Sequence, residues 1–395
     1  MTGKKTVLAA LALISVFGLR AADYYADSAL GSDGNDGLSP ERAFRTLEKA
    51  TRLLKAGDTL HLKAGAVFNE RLYFHSSGSA FKPIRVKGNG AVISGLKRVS
   101  DSGWRNEGGD LWLSTNRMFW GACRPRVWDR ELKMISVEIG DAAFSDPRLL
   151  KAGQAAWNGR GIWFRCDPGR KPQDYALSGS YLVSGVEVVN KHHWVVEDLT
   201  AEYFTNDGFN VHGVCRGLYF LNITARRNGD DGFSIHGDVF AAVHNLHTSE
   251  NDFGVSDISR SQSTFCGFVA VSNRLCGVDF HGGMRIVRDG IVKDNGNCEI
   301  SVSTSARGES ESDPNPMLRA SVYFENVTAS GAGTAMVVRD RCTVTAAKCR
   351  FAGAGEGLRL EGGRVHLEKC EVENCKRALV KSPKCELSLV ECKGL

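Results

Sequence analysis

The sequence of 395 residues lacks the signatures of several common protein classes. It contains no Cys-x-x-Cys pair and no Cys/His cluster with zinc spacing, which excludes the usual structural zinc site. The apolar run near the N-terminus, from Val7 to Phe17, is too short for a transmembrane helix, and no second hydrophobic stretch occurs. No stripe of basic residues interleaved with aromatics occurs, which argues against nucleic-acid binding.

Helical periodicity is also missing from the second half of the chain. The stretches between turns are too short for helices of roughly ten residues, and they are rich in Val, Ile and Phe. Neighbouring positions alternate between apolar and polar at period two, which is typical of strands. The leucine and asparagine consensus of leucine-rich repeats is absent as well. Helical and leucine-rich solenoids are therefore excluded.

What the chain does contain is a repeat of about 22 residues from His193 to the C-terminus. Each repeat carries a glycine followed by a short alternating strand. These strands are Phe209-Asn210-Val211-His212, Phe233-Ser234-Ile235-His236, Val255-Ser256-Asp257-Ile258 and Val278-Asp279-Phe280-His281. A second strand in each repeat has a residue expected to be buried, namely Leu199, Ile223, Leu246, Phe268 and Ile291. Such repeats must stack to bury their apolar side, which predicts an all-β parallel β-helix.

Stacking of the repeats brings acidic turns together. Two adjacent repeats contain Asn206-Asp207-Gly208 and Asp230-Asp231-Gly232, and the next one contains Asp252. Residues in one column of a parallel β-helix lie about 4.8 Å apart, so we expect Asp207 to lie beside Asp231. Carboxylates this close repel each other, which raises the proton affinity of at least one unless a cation intervenes. The three aspartates Asp207, Asp230 and Asp231 are the predicted centre of an active site.

The outward strand positions add further polar groups to this surface. Histidines occupy one predicted column, at His212, His236 and His281, and Asn210 and Asp279 occupy the adjacent column. Asp-Gly is also an ordinary turn dipeptide, and acidic ladders can stack in a β-helix without any catalytic role. The coincidence of three acids with three outward histidines favours a functional site over a purely structural ladder.

The chain divides into four predicted segments. Residues 1–22 are expected to be a signal peptide, because Lys4 and Lys5 precede an apolar run and Ala21 and Ala22 follow it. This predicts a secreted or periplasmic protein, which we expect to be a monomer. Residues 23–97 should form an N-terminal cap, with a short helix after Thr46, and the first β-helix turns. Residues 98–185 are predicted to be a β-rich insertion, and residues 186–395 the main β-helix.

Two residue types are distributed unevenly. Six of the seven tryptophans lie in the insertion, where most are expected to be core and one or two could stack on sugar rings. They are Trp104, Trp112, Trp120, Trp128, Trp157 and Trp163. The chain has 12 cysteines, of which Cys349, Cys370 and Cys392 share one predicted column while Cys342 and Cys385 share another. Buried free thiols are favoured over disulfides for these columns.

The N-terminal part of the predicted mature chain carries a recognisable pattern. It consists of Tyr24-Tyr25-Ala26-Asp27-Ser28, a loop from Gly31 to Gly37, Phe44-Arg45-Thr46-Leu47 and Ala56-Gly57-Asp58-Thr59-Leu60. With the repeats, this pattern resembles the right-handed parallel β-helix proteins of the pectate-lyase-like superfamily. The resemblance implies the fold over most of the mature chain. It implies less about substrate, because that superfamily holds lyases, hydrolases, epimerases and binding proteins.

The acidic turns are similar to those of calcium pectate lyases that use a lysine base. That resemblance implies calcium held by Asp207, Asp230 and Asp231, a substrate carboxylate bridged to the ion, and a base that removes the C5 proton during β-elimination. Two departures are clear: Ser234 stands where a further aspartate is expected, and no lysine lies near Val278 to His281. The base would then be Arg285, Lys293 or one of the histidines His212, His236 and His281. Asn210, Asp252 and Asp279 are expected to bind substrate.

Two other functions stay open. The acids also resemble those of polygalacturonases, which implies hydrolysis with inversion by paired aspartates and no metal. The match is partial, because Phe253 stands where that family has a histidine and Arg285-Ile286-Val287 lacks its lysine. A non-catalytic glycan-binding β-helix is the third possibility. The formal net charge of +5 favours an anionic polysaccharide as the partner but does not distinguish these functions.

Overall fold

The structure, a computed structural model, describes residues 21–114, 124–138, 140–157, 161–304, 318–339, 341–353 and 355–395. Most of the expected signal peptide and Trp120 therefore lie outside the described residues. Among the described residues, no helix is both long enough and apolar enough to span a bilayer.

The strands wind into a parallel β-helix of about 13 turns, which confirms the predicted fold class. Most turns contribute to three parallel sheets, called sheets 1, 2 and 3. Sheet 1 contains β4 (Leu72–Tyr73), β13 (Val186–Val189), the first parts of β15 (Phe209–Arg226) and β16 (Asp231–Ser249), β17 (Phe253–Ile258), β19 (Cys276–His281), β21 (Cys298–Ser303), β23 (Thr334–Val338), β26 (Glu356–Leu360) and β29 (Arg377–Lys381).

Sheets 2 and 3 complete the turns. Sheet 2 contains five whole strands, β1 (Asp23–Ala26), β2 (Thr59–Leu62), β24 (Thr343–Ala347), β27 (Arg364–Glu368) and β30 (Glu386–Val390). It also contains the first part of each of five longer strands, β5 (Ile84–Ser94), β14 (Trp194–Glu202), β18 (Gln262–Val271), β20 (Met284–Lys293) and β22 (Ser321–Ser330). The middle parts of β15 and β16 complete it. Sheet 3 contains β3 (Val67–Phe68), the last parts of the long strands, β25 (Arg350–Ala352) and β28 (Glu371–Glu373).

Apolar side chains from all three sheets fill the interior of the β-helix. Phe209 and Phe233 stack on successive turns with ring centroids 5.8 Å apart. The predicted column of Leu199, Ile223, Leu246 and Phe268 is buried, but Ile291 is 49% exposed, so that part of the prediction is wrong. Gly290 pairs with Phe268 in its place, and the Phe268 ring fills the space that a side chain at Gly290 would need.

A ladder of buried asparagines fixes the turns between sheets 3 and 1. The side-chain amides of Asn228, Asn251 and Asn273 each donate to the Oδ1 of the next asparagine, at 2.9 to 3.1 Å, and the ladder ends at Asn295 and Glu299. Each Oδ1 also accepts a backbone N–H from the preceding turn. These bonds satisfy polar groups that lie inside the protein, and they hold successive turns in register. The acidic residues of the predicted site lie in these same turns.

The N-terminal helix, α1 (Leu47–Leu53), packs on β1 and β4. Thr46 caps it, as predicted, by accepting the backbone N–H of Lys49 at 3.2 Å. Leu47 is buried, whereas Leu53 is 38% exposed and does not belong to the apolar face. A 3-10 turn, Pro40–Arg42, precedes the helix.

Residues between β5 and β13 form two small antiparallel sheets beside the β-helix. One contains β7 (Trp104–Gly108), β8 (Leu111–Ser114), β10 (Ala155–Trp157) and β11 (Ile162–Arg165), and the other contains β6 (Leu96–Arg98), β9 (Val127–Trp128) and β12 (Ser178–Ser180). A short helix, α2 (Ala142–Ser145), and two 3-10 turns, Pro147–Leu149 and Pro172–Tyr175, connect them. Trp104, Trp112, Trp157 and Trp163 pack against the insertion's own apolar clusters, and Trp128 is buried.

Candidate active site

The turns from sheet 3 into sheet 1 place the acidic residues in two columns, which confirms the predicted register. The backbone N–H of Asp230 donates to the carbonyl oxygen of Asn206 at 3.0 Å, and that of Asp252 donates to the carbonyl oxygen of Asp230 at 2.8 Å. In the second column, the backbone N–H of Asp231 donates to Oδ1 of Asp207 at 3.2 Å. Residues 24 positions apart along the chain are thus direct neighbours.

Asp207, Asp230 and Asp231 converge on one point. One carboxylate oxygen from each lies within 4.8 Å of the others. Asp207 and Asp231 are 2% and 5% exposed, whereas Asp230 is partly exposed. The cluster therefore has a buried floor and opens to solvent on the side of Asp230.

Burial and mutual repulsion shift the protonation of these acids. Burial is the largest cause that raises the pKa of Asp207 well above its usual value, and the charges of Asp231 and Asp230 add to it. The pKa of Asp231 rises to about 8, again through burial first and then the charge of Asp230. Burial also raises the pKa of Asp230, although the Arg124 guanidinium opposes this shift. A bound cation would offset the repulsion between the carboxylates and favour their ionised forms.

The cluster fits a hard divalent cation. All three side chains offer oxygen atoms, the donors that calcium prefers, and the oxygens are close enough to share one ion. Asn210 supplies a further indication on the same face of sheet 1, because its Oδ1 is buried and has no hydrogen-bond partner. An oxygen-only donor set with an unsatisfied amide oxygen nearby is compatible with calcium and does not resemble a zinc site.

A hydrogen-bonded row leads from the cluster to the histidines. The Ser234 hydroxyl lies 2.7 Å from Oδ2 of Asp231 and 2.7 Å from Nε2 of His236. The rings of His236 and His212 stack in parallel, 4.8 Å apart and inclined by 6°. Ser234 thus connects a buried carboxyl group to an imidazole on the outer surface of sheet 1.

The third predicted histidine lies further along the same surface. His281 contacts Oδ2 of Asp279 at 2.7 Å through Nε2 and the Ser303 hydroxyl at 2.9 Å through Nδ1. Ile258 occupies the intervening position of the column, so His281 does not stack on His236. The Asp279 and His281 pair therefore borders the central cluster and does not belong to it.

Asp252 is not available to a substrate, contrary to the prediction. Its side chain is fully buried and is bound by three arginines. Nη2 of Arg126 lies 2.6 Å from Oδ1, Nη2 of Arg274 lies 2.6 Å from Oδ2, and Arg124 also contacts Oδ2. A carboxylate enclosed in this way holds the arginines in place. Arg124 in turn contacts Oδ1 of Asp230 at 2.9 Å, which connects the arginines to the central cluster.

Arg285 does not reach the site, which overturns its prediction as a substitute base. Its side chain is fully buried inside the β-helix and binds Oδ1 of Asp257 at 2.7 Å and the Ser261 hydroxyl at 2.6 Å. Asp257 occupies an inward column between Ile235 and Phe280. Lys293 also lies elsewhere, at the end of sheet 3 beside Asp294.

Sequence reasoning missed the three arginines around Asp252. Arg124 and Arg126 belong to the insertion and contact Asp252 across 128 and 126 residues, so no spacing in the sequence connects them. Arg274 did leave a signal, because it lies 22 residues after Asp252 and hence one turn later. Arg124 and Arg274 remain 36% and 39% exposed, so they present positive charge beside Asp230.

Solved structures with the same fold are known. A structure of XylC with xylose matches with a TM-score of 0.59 and 10% sequence identity, over 93% of this chain and 72% of that chain. Pectate lyase Pel9A matches with a TM-score of 0.56 and 13% identity, over 93% of this chain and 79% of that chain. No protein-family model and no curated protein matches the sequence. The chain thus has a pectate-lyase-like parallel β-helix fold, which confirms the resemblance in fold.

Proposed function

We propose that the protein is a carbohydrate-active enzyme that cleaves an acidic polysaccharide by calcium-assisted β-elimination. The observation that carries this proposal is the convergence of Asp207, Asp230 and Asp231, whose oxygens lie within 4.8 Å of one another on the outer face of the β-helix. The fold supports a polysaccharide substrate, because one structure of similar fold is a pectate lyase and another was solved with xylose.

Asp207, Asp230 and Asp231 would hold the ion together with the substrate carboxylate. When bound, calcium neutralises that carboxylate and so acidifies the C5 proton of the sugar ring. Asp230 is the acid on the open side of the cluster, so the substrate would approach there. Arg124 and Arg274 lie next to Asp230 with exposed guanidinium groups, and they would orient further carboxylates of an anionic chain.

His236 is the proposed base. Its ring lies on the outer face of sheet 1, and Ser234 links its Nε2 to Asp231. An imidazole is well matched to proton abstraction near neutral pH, which an arginine is not. His212 stacks on His236 and would keep the ring in place, while Asn210 and Asp279 flank the path that a glycan would follow along sheet 1.

One observation favours a second candidate, an inverting glycoside hydrolase. The pKa of Asp231 is raised to about 8, so its carboxyl group would stay protonated near neutral pH and could donate a proton to a leaving oxygen. The spacing of the acids opposes this function, because inverting enzymes hold their carboxyl groups about 6.5 to 9.5 Å apart to admit water. A separation within 4.8 Å suits a shared cation better.

Product analysis separates these functions. Purified protein would be incubated with a panel of acidic polysaccharides, with added calcium or with a chelator, while ultraviolet absorbance and reducing ends are followed together. We expect both signals to rise with calcium and to stop with chelator. Reducing ends without the absorbance of an unsaturated product would identify a hydrolase, and the absence of both signals would indicate a binding protein.

Export from the cytoplasm and a monomeric state are further parts of the proposal. Cell fractionation would test the export, and light scattering would test the monomeric state.

A further inference from the structure

Cys276 and Cys298 form a close sulfur pair next to the candidate active site. Cys276 begins β19, Cys298 begins β21, and the two residues are direct partners in the register of sheet 1. Their Sγ atoms lie 2.9 Å apart, and the residues are 3% and 8% exposed. The proposed reaction uses neither cysteine.

The backbone at this position suits a covalent link. Directly paired residues on neighbouring parallel strands have Cα atoms about 4.8 Å apart, which lies within the roughly 4.4 to 6.8 Å found for disulfides. The sulfur separation exceeds the length of a disulfide bond, about 2.05 Å, by less than roughly 1 Å. Small rotations of the two side chains would close this gap without a shift of the strands.

A shared metal ion fits the pair less well. Metal–sulfur bonds of about 2.3 Å in tetrahedral geometry would hold two thiolates nearly 4 Å apart, and a linear arrangement would hold them further apart. The observed 2.9 Å is shorter than either separation. The surroundings also offer few ligands, because Phe253 and Val337 pack around the sulfurs.

We propose that Cys276 and Cys298 are oxidised to a disulfide that joins two successive turns of the β-helix. The oxidant is a disulfide bond, either that of oxidised glutathione or the one in the active site of a thiol oxidase. Each cysteine loses one proton, and the pair transfers two electrons to the oxidant. The oxidant's sulfur–sulfur bond breaks as the new one forms, and the oxidant leaves as two thiols.

Burial determines when this bond can form. The pKa of the Cys276 thiol is raised well above its usual value, first by burial and then by its contact with Cys298. The folded dithiol is therefore a poor nucleophile, since exchange requires a thiolate. Oxidation takes place while β19 and β21 are still accessible during folding, and the finished bond is protected from later exchange.

The bond would stabilise one end of the candidate site. Asp231, Phe253, Cys276 and Cys298 occupy one column of successive turns. Asp279 and His281 follow Cys276 on the same strand, so a link at Cys276 would hold the turn that presents them. Closing a loop between residues 22 positions apart also restricts the unfolded chain.

Disulfide mapping tests this inference. The full chain would be folded in a glutathione redox buffer, denatured, alkylated without reductant, digested and analysed by mass spectrometry. We expect a linked peptide that contains Cys276 and Cys298, which reductant removes, and a lower melting temperature for the reduced protein. Alkylation of both cysteines without reductant, or a link from either one to a different cysteine, would overturn the inference.

Matched variants show which cysteines cause the effect of reductant on the melting temperature. Cys276→Ser and, separately, Cys298→Ala should abolish the linked peptide and remove the effect of reductant on the melting temperature. Cys215→Ser is the control, because Cys215 is also buried but its sulfur contacts the carbonyl oxygen of His212. That variant should retain the link. If reductant lowers the melting temperature of Cys276→Ser as much as that of wild type, the bond lies elsewhere.

Discussion

Asp207 and Asp231 occupy equivalent positions on successive turns of the β-helix, where the backbone N–H of Asp231 donates to Oδ1 of Asp207 at 3.2 Å. The pair is almost completely buried, whereas Asp230, in the adjacent column, is partly exposed to solvent. Two like charges buried in the low-dielectric interior of a protein raise its free energy unless a counter-ion compensates them. The protein retains this arrangement beside a row of histidines, which is the basis of the functional proposal.

Substitution of Asp231 should abolish turnover without unfolding the protein. Asp231→Asn keeps the shape and the hydrogen bond with Ser234 but removes a negative charge, so we expect the rate to fall by about 10³-fold. The measurement is product formation on a cleaved polysaccharide, with circular dichroism as the check on folding. Asp198→Asn, at the break within β14 where sheet 2 passes into sheet 3, is the control and should retain full activity. Normal activity of Asp231→Asn would move the site elsewhere.

The stability of the cation-free protein should fall as the pH rises. The pKa of Asp231 is about 8 in the folded protein against a usual 3.8, so folding favours its protonated form. This contribution is fully present below about pH 4 and is lost progressively as the pH rises to about 8. Denaturant unfolding in the presence of chelator measures it.

Asp231→Asn provides the comparison for the pH effect. Glu299, whose pKa burial raises to about 7, and Asp207, whose pKa burial and the charge of Asp231 raise, contribute losses in the same direction. The difference between wild type and variant therefore reports Asp231 together with its coupling to Asp207. We expect a shallower decline for the variant. Parallel curves for the two proteins would show that Asp231 is already ionised in the folded state.

His236 should be required for chemistry more than for binding. Its proposed role is proton abstraction, so His236→Ala should lower kcat by about 10²- to 10⁴-fold with a smaller change in KM. The pH dependence of kcat should also lose its limb near neutrality. His244→Ala, on sheet 2, is the matched control. Equal losses in both variants would indicate a general defect in folding.

Arg126 should be important for stability. It is only 6% exposed and binds both Asp252 and the carbonyl oxygen of Asn228, and so it attaches the insertion to the β-helix. Arg126→Leu should reduce the free energy of unfolding by about 3 kcal/mol, because the buried negative charge of Asp252 loses one of the positive charges that compensate it. Arg126→Leu with Asp252→Asn should recover part of that loss in urea titrations. An additive loss in the double variant would contradict this coupling.

The sequence predicted the register better than it predicted which face a side chain occupies. Glycines and alternating residues aligned Asp207 with Asp231 and His212 with His236 correctly, because a repeat of constant length fixes the columns. Ile291 was assigned one position out of register, since the local pattern does not reveal that Phe268 fills the space above Gly290.

The remaining differences depend on long-range contacts. Arg285 forms an ion pair with Asp257 inside the β-helix, where charged residues are rare, so the polarity of Arg285 alone suggested an outward position. The burial of Asp252 depends on Arg124 and Arg126 from the insertion, which contact it across more than 120 residues. Alternation within a strand contains no information about such partners.

Calcium titration tests the central claim most directly. Isothermal calorimetry of the chelator-treated protein should show one calcium site, and saturation should raise the melting temperature. Asp207→Asn and Asp231→Asn should each lose this heat and this shift, because each removes a charged oxygen ligand, while Asp198→Asn should behave as wild type. Calcium binding that persists unchanged in both site variants, or its absence in the wild type, would contradict the proposed cation site.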